Sequence, residues 1–152
     1  MDQLITGHEG LRLHVYTDTT GNLTIGYGWN LNDADSEDIC NTFGLNLGPL
    51  IYGTENLTEA QALEVFNYQL NLVIQQARSV FPMFDNMPDA VQAVICDQIF
   101  NMGLPKFLGF VNEIADLKAG NYTQAAKDAL DSEWAKQVPE RAADDARLLE
   151  AA

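Results

Sequence analysis

The fold of the first part of the chain is decided by residues 8–30, HEGLRLHVYTDTTGNLTIGYGWN. Apolar and polar residues alternate from Leu11 to Tyr16, which is the period of a β-strand. Short polar residues and a glycine follow at 18–22, a composition typical of a tight turn. Alternation resumes over residues 23–30, with Gly26 and Gly28 on one face. The stretch predicts a β-hairpin. Its two glycines indicate close approach of a ligand or another backbone, or else a bulge or a thin edge strand.

Short helices are expected on both sides of the hairpin. Leu4, Ile5 and His8 share one face of a helix that Gly10 would end. After the hairpin, cap-forming residues indicate a helix at about 36–43, and the glycines and proline that follow predict a loop up to the next helix.

The longest predicted helix runs from Thr58 to Phe81. Its apolar residues recur at three- and four-residue steps, Thr58 and Gln61 form a capping box, and Pro82 ends it. At about 1.5 Å of rise per residue it would be roughly 30 Å long, enough to connect two lobes.

The remainder of the chain reads as helical. One helix opens at Pro88, another spans 110–117, a third follows a possible second capping box at Asn121 and Gln124, and a last one covers 141–149. The sequence therefore predicts an α+β, mostly α fold in a single domain of 152 residues. A small β-hairpin lobe (about 10–58) is joined by a long helix (about 59–81) to a helical lobe (about 82–152 plus the N-terminal helix).

The chain is strongly acidic, with 22 Asp and Glu against eight Lys and Arg and a formal net charge of −14. Nucleic acid and anionic membranes are therefore poor partners, because phosphate contacts need Lys or Arg. The acidic surface either simply favours solubility or reflects adaptation to a salty medium, where charges are screened; at about 0.15 M salt the screening length is roughly 8 Å.

The sequence also indicates the cellular compartment in which the protein is made. No apolar run reaches the roughly 18 residues of a membrane span, and the N-terminus lacks the basic start and apolar stretch of a secretory signal. We therefore expect synthesis in a cytoplasm, no stable membrane insertion, and Cys40 and Cys96 as free, buried thiols.

Glu9, Asp18 and Thr24 carry the groups needed to hydrolyse a sugar acetal. The reaction takes one carboxyl that donates a proton to the leaving oxygen and one carboxylate that activates water. Glu9 follows an apolar helix face and can be partly buried, so we assign it as general acid. Asp18 lies in a polar turn and is assigned as general base, with the Thr24 hydroxyl holding the water. Taken alone, a Glu and an Asp near turns on so acidic a chain would more often be solvated surface groups.

The whole window resembles the catalytic region of the phage-type (T4-like) lysozymes. In that family a glutamate is followed nine positions on by an aspartate and six further by a threonine, and Glu9, Asp18 and Thr24 match this spacing. Residues 89–103, DAVQAVICDQIFNMG, are similar to the family's central helix. The order of Trp134, Pro139 and Arg141 resembles its C-terminal helices.

The resemblance implies a lysozyme-like fold and a muramidase that cleaves the β-1,4 bond between N-acetylmuramic acid and N-acetylglucosamine in peptidoglycan with inversion. It implies an endolysin that waits in the host cytoplasm and reaches the wall in the periplasm with the help of a holin-like permeabilising partner. The sequence leaves the oligomeric state open, and we take a monomer as the default. The family places Arg141 near Glu9, either to orient the acid or as a purely structural salt bridge.

Substrate contacts are predicted from aromatic and amide side chains, which stack on sugars and hydrogen-bond to them. For each candidate, core packing or chance exposure on the surface is at least as good an explanation. The candidates are Tyr27, Trp29, Asn30, Phe100, Asn101 and Trp134. His8 and His14 lie on different elements without the spacing of a metal site, so we expect no metal and no cofactor.

Two other functions stay open. A lytic transglycosylase would keep the glutamate but would not need the water-holding Asp18 and Thr24. A catalytically silent wall-binding domain would need none of the three residues.

Overall fold

A computed structural model describes residues 1–152 and confirms the predicted α+β, mostly α fold. A small antiparallel sheet has the strand order β1–β2–β3, formed by Arg12–Thr17 (β1), Leu23–Gly26 (β2) and Trp29–Asn30 (β3). The helices are Asp2–Glu9 (α1), Ser36–Phe43 (α2), Leu47–Tyr52 (α3), Glu59–Val80 (α4), Asp89–Met102 (α5), Leu104–Phe107 (α6), Val111–Ala119 (α7), Tyr122–Leu130 (α8), Glu133–Gln137 (α9) and Pro139–Ala151 (α10), with a short 3₁₀ turn at Phe84–Asn86.

The chain forms two compact units. The hairpin unit is Thr6–Asn71, and the helical unit is Met1–Ile5 together with Leu72–Ala152. The division falls inside α1 and inside the long helix α4.

The hairpin unit is built around a core beneath its sheet. The buried members of this core include Ile25, Trp29, Ile39, Leu50 and Leu57. These side chains come from β2, β3, α2, α3 and the segment before α4, so burial of apolar surface holds the sheet against the helices of the same unit.

The strand predicted over residues 23–30 is in fact two strands. Gly26 and Gly28 have φ of 66° and 71°, a left-handed conformation that side chains rarely adopt, and the chain turns between them. β3 therefore folds back on β2, with Ile25 opposite Trp29 and Thr24 opposite Asn30. The turn at these glycines was not predicted, and the group that comes closest to Gly28 is the Glu9 side chain.

The loop predicted after α2 was wrong in part, because residues 47–52 form α3. Pro49 lies in the first turn of this helix, where a missing N–H costs nothing, and Leu50 is buried in the core. The helix is one and a half turns long, too short for an apolar period to show in the sequence.

The predicted capping box at the start of α4 is confirmed. The Thr58 N–H donates to Gln61 Oε1 (2.9 Å), and the Gln61 N–H donates to Thr58 Oγ1 (3.1 Å). The second box was wrong, because Asn121 makes no side-chain cap to α8. Its amide donates instead to Asp116 Oδ1 (3.1 Å), on the preceding helix α7.

The helical unit packs its own core, with Phe81, Val94, Ile95, Phe107 and Leu149 fully or almost fully buried. Two short helices in it, α6 and α9, were not predicted. Cys96 here and Cys40 in the hairpin unit are buried and unbridged, as expected. None of the helices combines the length and the apolar character that crossing a bilayer requires.

Candidate active site

The turn between β1 and β2 fixes the Asp18 carboxylate. Its Oδ1 accepts hydrogen bonds from the Thr20 N–H (2.9 Å), the Thr20 hydroxyl (2.8 Å) and the Asn22 N–H (2.8 Å). All three bonds go to one oxygen, so the turn orients the carboxylate while Oδ2 takes none of them. Slight burial raises the pKa of Asp18, but the bonds from Asn22 and Thr20 outweigh it, and the pKa is lowered overall.

Thr24 lies next to this turn on β2, opposite Tyr16 of β1 and Asn30 of β3. Its side chain is almost fully buried, with 4% exposed, and its hydroxyl donates to the Asn22 carbonyl (3.1 Å). Because the single hydroxyl proton is used in that bond, the oxygen has lone pairs directed elsewhere and can accept a hydrogen bond from a water.

Glu9 is the last residue of α1 and is partly buried. Its carboxylate lies directly against Gly28, in the turn between β2 and β3. The hairpin unit thus contains all three predicted catalytic residues: Glu9 from a helix end, Asp18 from a turn and Thr24 from a strand.

Tyr16 is a site residue that the sequence reasoning did not single out. Burial raises the pKa of its phenol, the charges of Glu9 and Asp18 raise it further, and Arg12 acts in the opposite direction. The Arg12 guanidinium lies over the Tyr16 ring, 4.8 Å from its centroid. Tyr16 therefore lies within electrostatic reach of both carboxylates. The sequence could have indicated Tyr16 by its position two residues before Asp18, because residues two apart on a strand lie on the same face.

Two substrate-binding candidates of the hairpin unit, Trp29 and Asn30, differ. Trp29 is 1% exposed, and its indole N–H donates to Ser36 Oγ (3.2 Å). A sugar cannot stack on a ring whose faces are buried, so we assign Trp29 to core packing. Asn30 is half-buried, and its side-chain oxygen accepts from the Asn32 N–H (2.9 Å), which leaves its amide N–H groups to donate.

In the helical unit, Trp134 is also a core residue. It is 2% exposed, and its indole N–H donates to Asn101 Oδ1 (2.7 Å). Asn101 is exposed and Phe100 is half-buried, so both stay candidates for substrate contact. The Asn101 side-chain amide keeps its N–H donors because only its oxygen is used by Trp134.

Arg141 is buried in the helical unit and pairs with Asp97. Its Nε and one terminal nitrogen reach the two Asp97 oxygens at 2.7 and 2.8 Å, a two-pronged contact that fixes the guanidinium plane. Arg141 thus forms a salt bridge to Asp97 of α5, which the sequence did not predict. A contact between Arg141 and Glu9, whether structural or orienting, stays a prediction.

Fold and candidate site together define a small α+β protein with a carboxyl at a helix end and a carboxylate and hydroxyl on a hairpin. The family model for phage lysozyme matches residues 6–144. The chain belongs to the phage lysozyme family.

The relatives of this chain among known proteins include an endolysin and a phage spike protein. The chain is 30% identical over 133 residues to an endolysin of Acyrthosiphon pisum secondary endosymbiont phage 1, covering 88% of this chain and 75% of that protein. It is 28% identical over 149 residues to the pre-baseplate central spike protein Gp5 of Enterobacteria phage T4, covering 93% of this chain. The chain spans only 26% of the length of that spike protein. The family and the endolysin relative support a peptidoglycan-lytic enzyme.

Proposed function

We propose that this protein is a muramidase that hydrolyses the β-1,4 bond between N-acetylmuramic acid and N-acetylglucosamine in peptidoglycan. The observation that supports the proposal is the Asp18 carboxylate, held through Oδ1 by a turn whose Asn22 also accepts the Thr24 hydroxyl, in the same unit as Glu9.

In the proposed reaction Glu9 is the general acid. It donates its proton to the glycosidic oxygen as the bond from that oxygen to the anomeric carbon breaks. A water attacks the anomeric carbon from the opposite face of the ring, and the proton it loses passes to Asp18. The products are a new reducing end and a free hydroxyl on the leaving sugar.

Asp18 and Thr24 would hold that water by accepting its two protons. One O–H of the water would point to Asp18 Oδ2 and the other to Thr24 Oγ1, whose own proton is used by Asn22. The water's lone pair would then be free to attack the sugar. The low pKa of Asp18 keeps it ionised in the pH range where a carboxyl acid can still be protonated.

We infer that the reaction inverts the anomeric configuration. A water held between base and sugar needs a gap of roughly 6.5–9.5 Å between the two carboxyl groups, whereas a retaining enzyme brings them to about 5 Å. Direct observation of the first-formed anomer by NMR of a digested wall fragment tests this point.

The biological setting that we propose is host-cell lysis. The endolysin relative supports it, and the chain covers three quarters of that protein. The enzyme would be held in the host cytoplasm as a monomer, would gain access to the periplasmic wall through a holin-like permeabilising partner, and would use no cofactor.

The first prediction concerns Glu9→Gln. Glutamine keeps the shape of the side chain but cannot donate an acidic proton, so clearing of permeabilised cells should fall by at least about 100-fold, the usual contribution of a general acid. Pull-down on purified peptidoglycan should be unchanged. Turbidity and pull-down are the two measurements.

The matched control is Glu64→Gln, which removes the same charge from an exposed position of α4. It should clear cells like the wild type. If Glu9→Gln clears cells as fast as Glu64→Gln, Glu9 is not the acid. If the wild type binds walls without clearing them, the silent wall-binding alternative is correct.

The products of a purified wall digest distinguish hydrolysis from the alternative, transglycosylation. Hydrolysis leaves muramic acid reducing ends, and transglycosylation leaves anhydro-sugars, because the muramic acid hydroxyl then replaces water as nucleophile. Asp18→Asn should abolish release of reducing ends. If anhydro-sugars predominate, the proposed hydrolysis is incorrect.

A further inference from the structure

Gly28 lies at the point where the turn between β2 and β3 meets the side chain of Glu9. A Cβ built on Gly28 would overlap the Glu9 carboxylate oxygen Oε2 and would lie 2.7 Å from Cδ and 3.2 Å from Cγ. Side-chain carbons do not approach other atoms this closely, so any residue other than glycine here must displace the Glu9 carboxyl group.

We propose that Gly28 is a positioning residue for the acid, which lets the Glu9 carboxyl group lie flat against the hairpin. The role rests on the proposed function of Glu9. Gly28 itself offers no reacting group. Gly28 acts by leaving open the space that the Glu9 carboxyl group occupies. Glu9 itself is the last residue of α1.

The displaced group would be the flexible end of a long side chain. A methyl at Gly28 could therefore be accommodated by a changed rotamer of Glu9, and the hairpin would not have to move. The expected consequence is a folded protein with a misplaced acid. A displacement of about 1 Å is enough to reduce turnover by about 100-fold.

Gly26 provides a matched control in the same hairpin. Its φ of 66° is close to the 71° of Gly28, so alanine strains the backbone equally at both positions. A Cβ at Gly26 would meet only Leu57 and Ala62, at 3.4 and 3.7 Å, which are ordinary packing distances. The two variants therefore share the backbone strain and differ only in the collision with Glu9.

The experiment compares Gly28→Ala and Gly26→Ala by reducing-end release from purified peptidoglycan and by pull-down on the same material. Gly28→Ala should lower turnover by about 100-fold with wall binding retained. Gly26→Ala should leave turnover within a few-fold of the wild type. Equal turnover in the two variants, or loss of wall binding in parallel with loss of turnover in Gly28→Ala, would overturn the proposal.

The contact is also tested without reference to catalysis. The ¹³C-carboxyl NMR signal of Glu9, assigned by its disappearance in Glu9→Gln, should move in Gly28→Ala and stay in Gly26→Ala. An unmoved signal in Gly28→Ala refutes the positioning role even if the muramidase proposal holds. Conversely, activity retained in Glu9→Gln refutes the muramidase assignment but leaves the contact to be judged by this signal.

If Gly28→Ala folds poorly, a double-mutant cycle still tests the collision between Gly28→Ala and Glu9. The drop in melting temperature caused by Gly28→Ala should be smaller in a Glu9→Ala background, because the colliding carboxylate is gone. An equal drop in both backgrounds contradicts the collision.

Discussion

At the residue scale, the turn of the hairpin fixes the carboxylate of Asp18, the base in the reaction that we propose, before any substrate arrives. Its three hydrogen bonds come from within the turn itself, two of them from backbone N–H groups. Such bonds stabilise the ionised form and cost no rearrangement during the reaction. The low pKa of Asp18 is thus a local property of the sequence DTTGN.

Thr20→Ala tests this origin of the low pKa. The substitution removes the hydroxyl bond at 2.8 Å and keeps both backbone bonds, so the pKa of Asp18 should rise partway toward the ordinary value of about 3.9. The acid limb of the kcat/KM profile should move to higher pH, as should the ¹³C titration of the Asp18 carboxyl.

Thr19→Ala is the control, because Thr19 is exposed in the same turn and gives no hydrogen bond to Asp18. It should leave the titration where it is. An equal shift in both variants would mean that turn flexibility, and not the hydroxyl bond, sets the pKa.

At the scale of elements, α4 starts where its capping box predicted it. The reciprocal bonds between Thr58 and Gln61 satisfy two N–H groups that the first turn of a helix leaves without partners. Helix α8 lacks such a cap even though Asn121 and Gln124 have the right spacing. Asp116 of α7 offers the Asn121 amide a stronger, charged acceptor. The Asn121 side chain therefore bonds to α7 and does not cap α8.

Thr58→Ala should lower the free energy of unfolding by about 1 kcal/mol, the usual cost of losing an N-cap. Thr58→Ser keeps the hydroxyl and should stay close to the wild type. Urea denaturation of the two variants and the wild type measures the difference. Equal midpoints for Ala and Ser would show that the box contributes nothing to stability.

At the scale of the whole molecule, the helical unit contains buried acidic side chains, among them Glu113 and Asp145. Glu113 is 1% exposed, and neither of its carboxyl oxygens has a hydrogen-bond partner. Burial raises its pKa to about 7, with Asp128 adding to the shift and the nearby Gln98 amide opposing it. Asp145 is fully buried as well, and burial together with the neighbouring Asp97 raises its pKa.

These shifts make stability depend on pH in a definite direction. Between the unfolded pKa of Glu, about 4.3, and the folded value of about 7, the folded state keeps a proton that the unfolded state has released. The contribution of Glu113 to the free energy of unfolding is therefore complete below about pH 4.3 and is lost as the pH rises to about 7. The free energy of unfolding falls by up to about 1.4 kcal/mol per pH unit in this range. Asp145 acts in the same direction.

Glu113→Gln should remove the Glu113 part of this dependence, because glutamine resembles the protonated acid and does not titrate. The variant should have a flatter stability profile between pH 5 and 7 and should be more stable than the wild type at pH 8, as measured by thermal or urea unfolding. Glu140→Gln, at an exposed position of α10, is the control and should keep the wild-type slope. A Glu113→Gln profile parallel to the wild type would show that Glu113 does not carry a proton in the folded state.

The sequence by itself determined the local features: the hairpin, the capping box of α4, the alternation that buries Ile25 and the spacing of Glu9, Asp18 and Thr24. These follow from interactions between residues close in the chain, which backbone geometry and side-chain type largely fix. Only the tertiary structure decided that Trp29 and Trp134 are core residues, that Arg141 pairs with Asp97, and that Gly28 faces Glu9. Each of these depends on which distant segment packs against the residue, and burial and contact across the chain are not encoded in any short stretch of it.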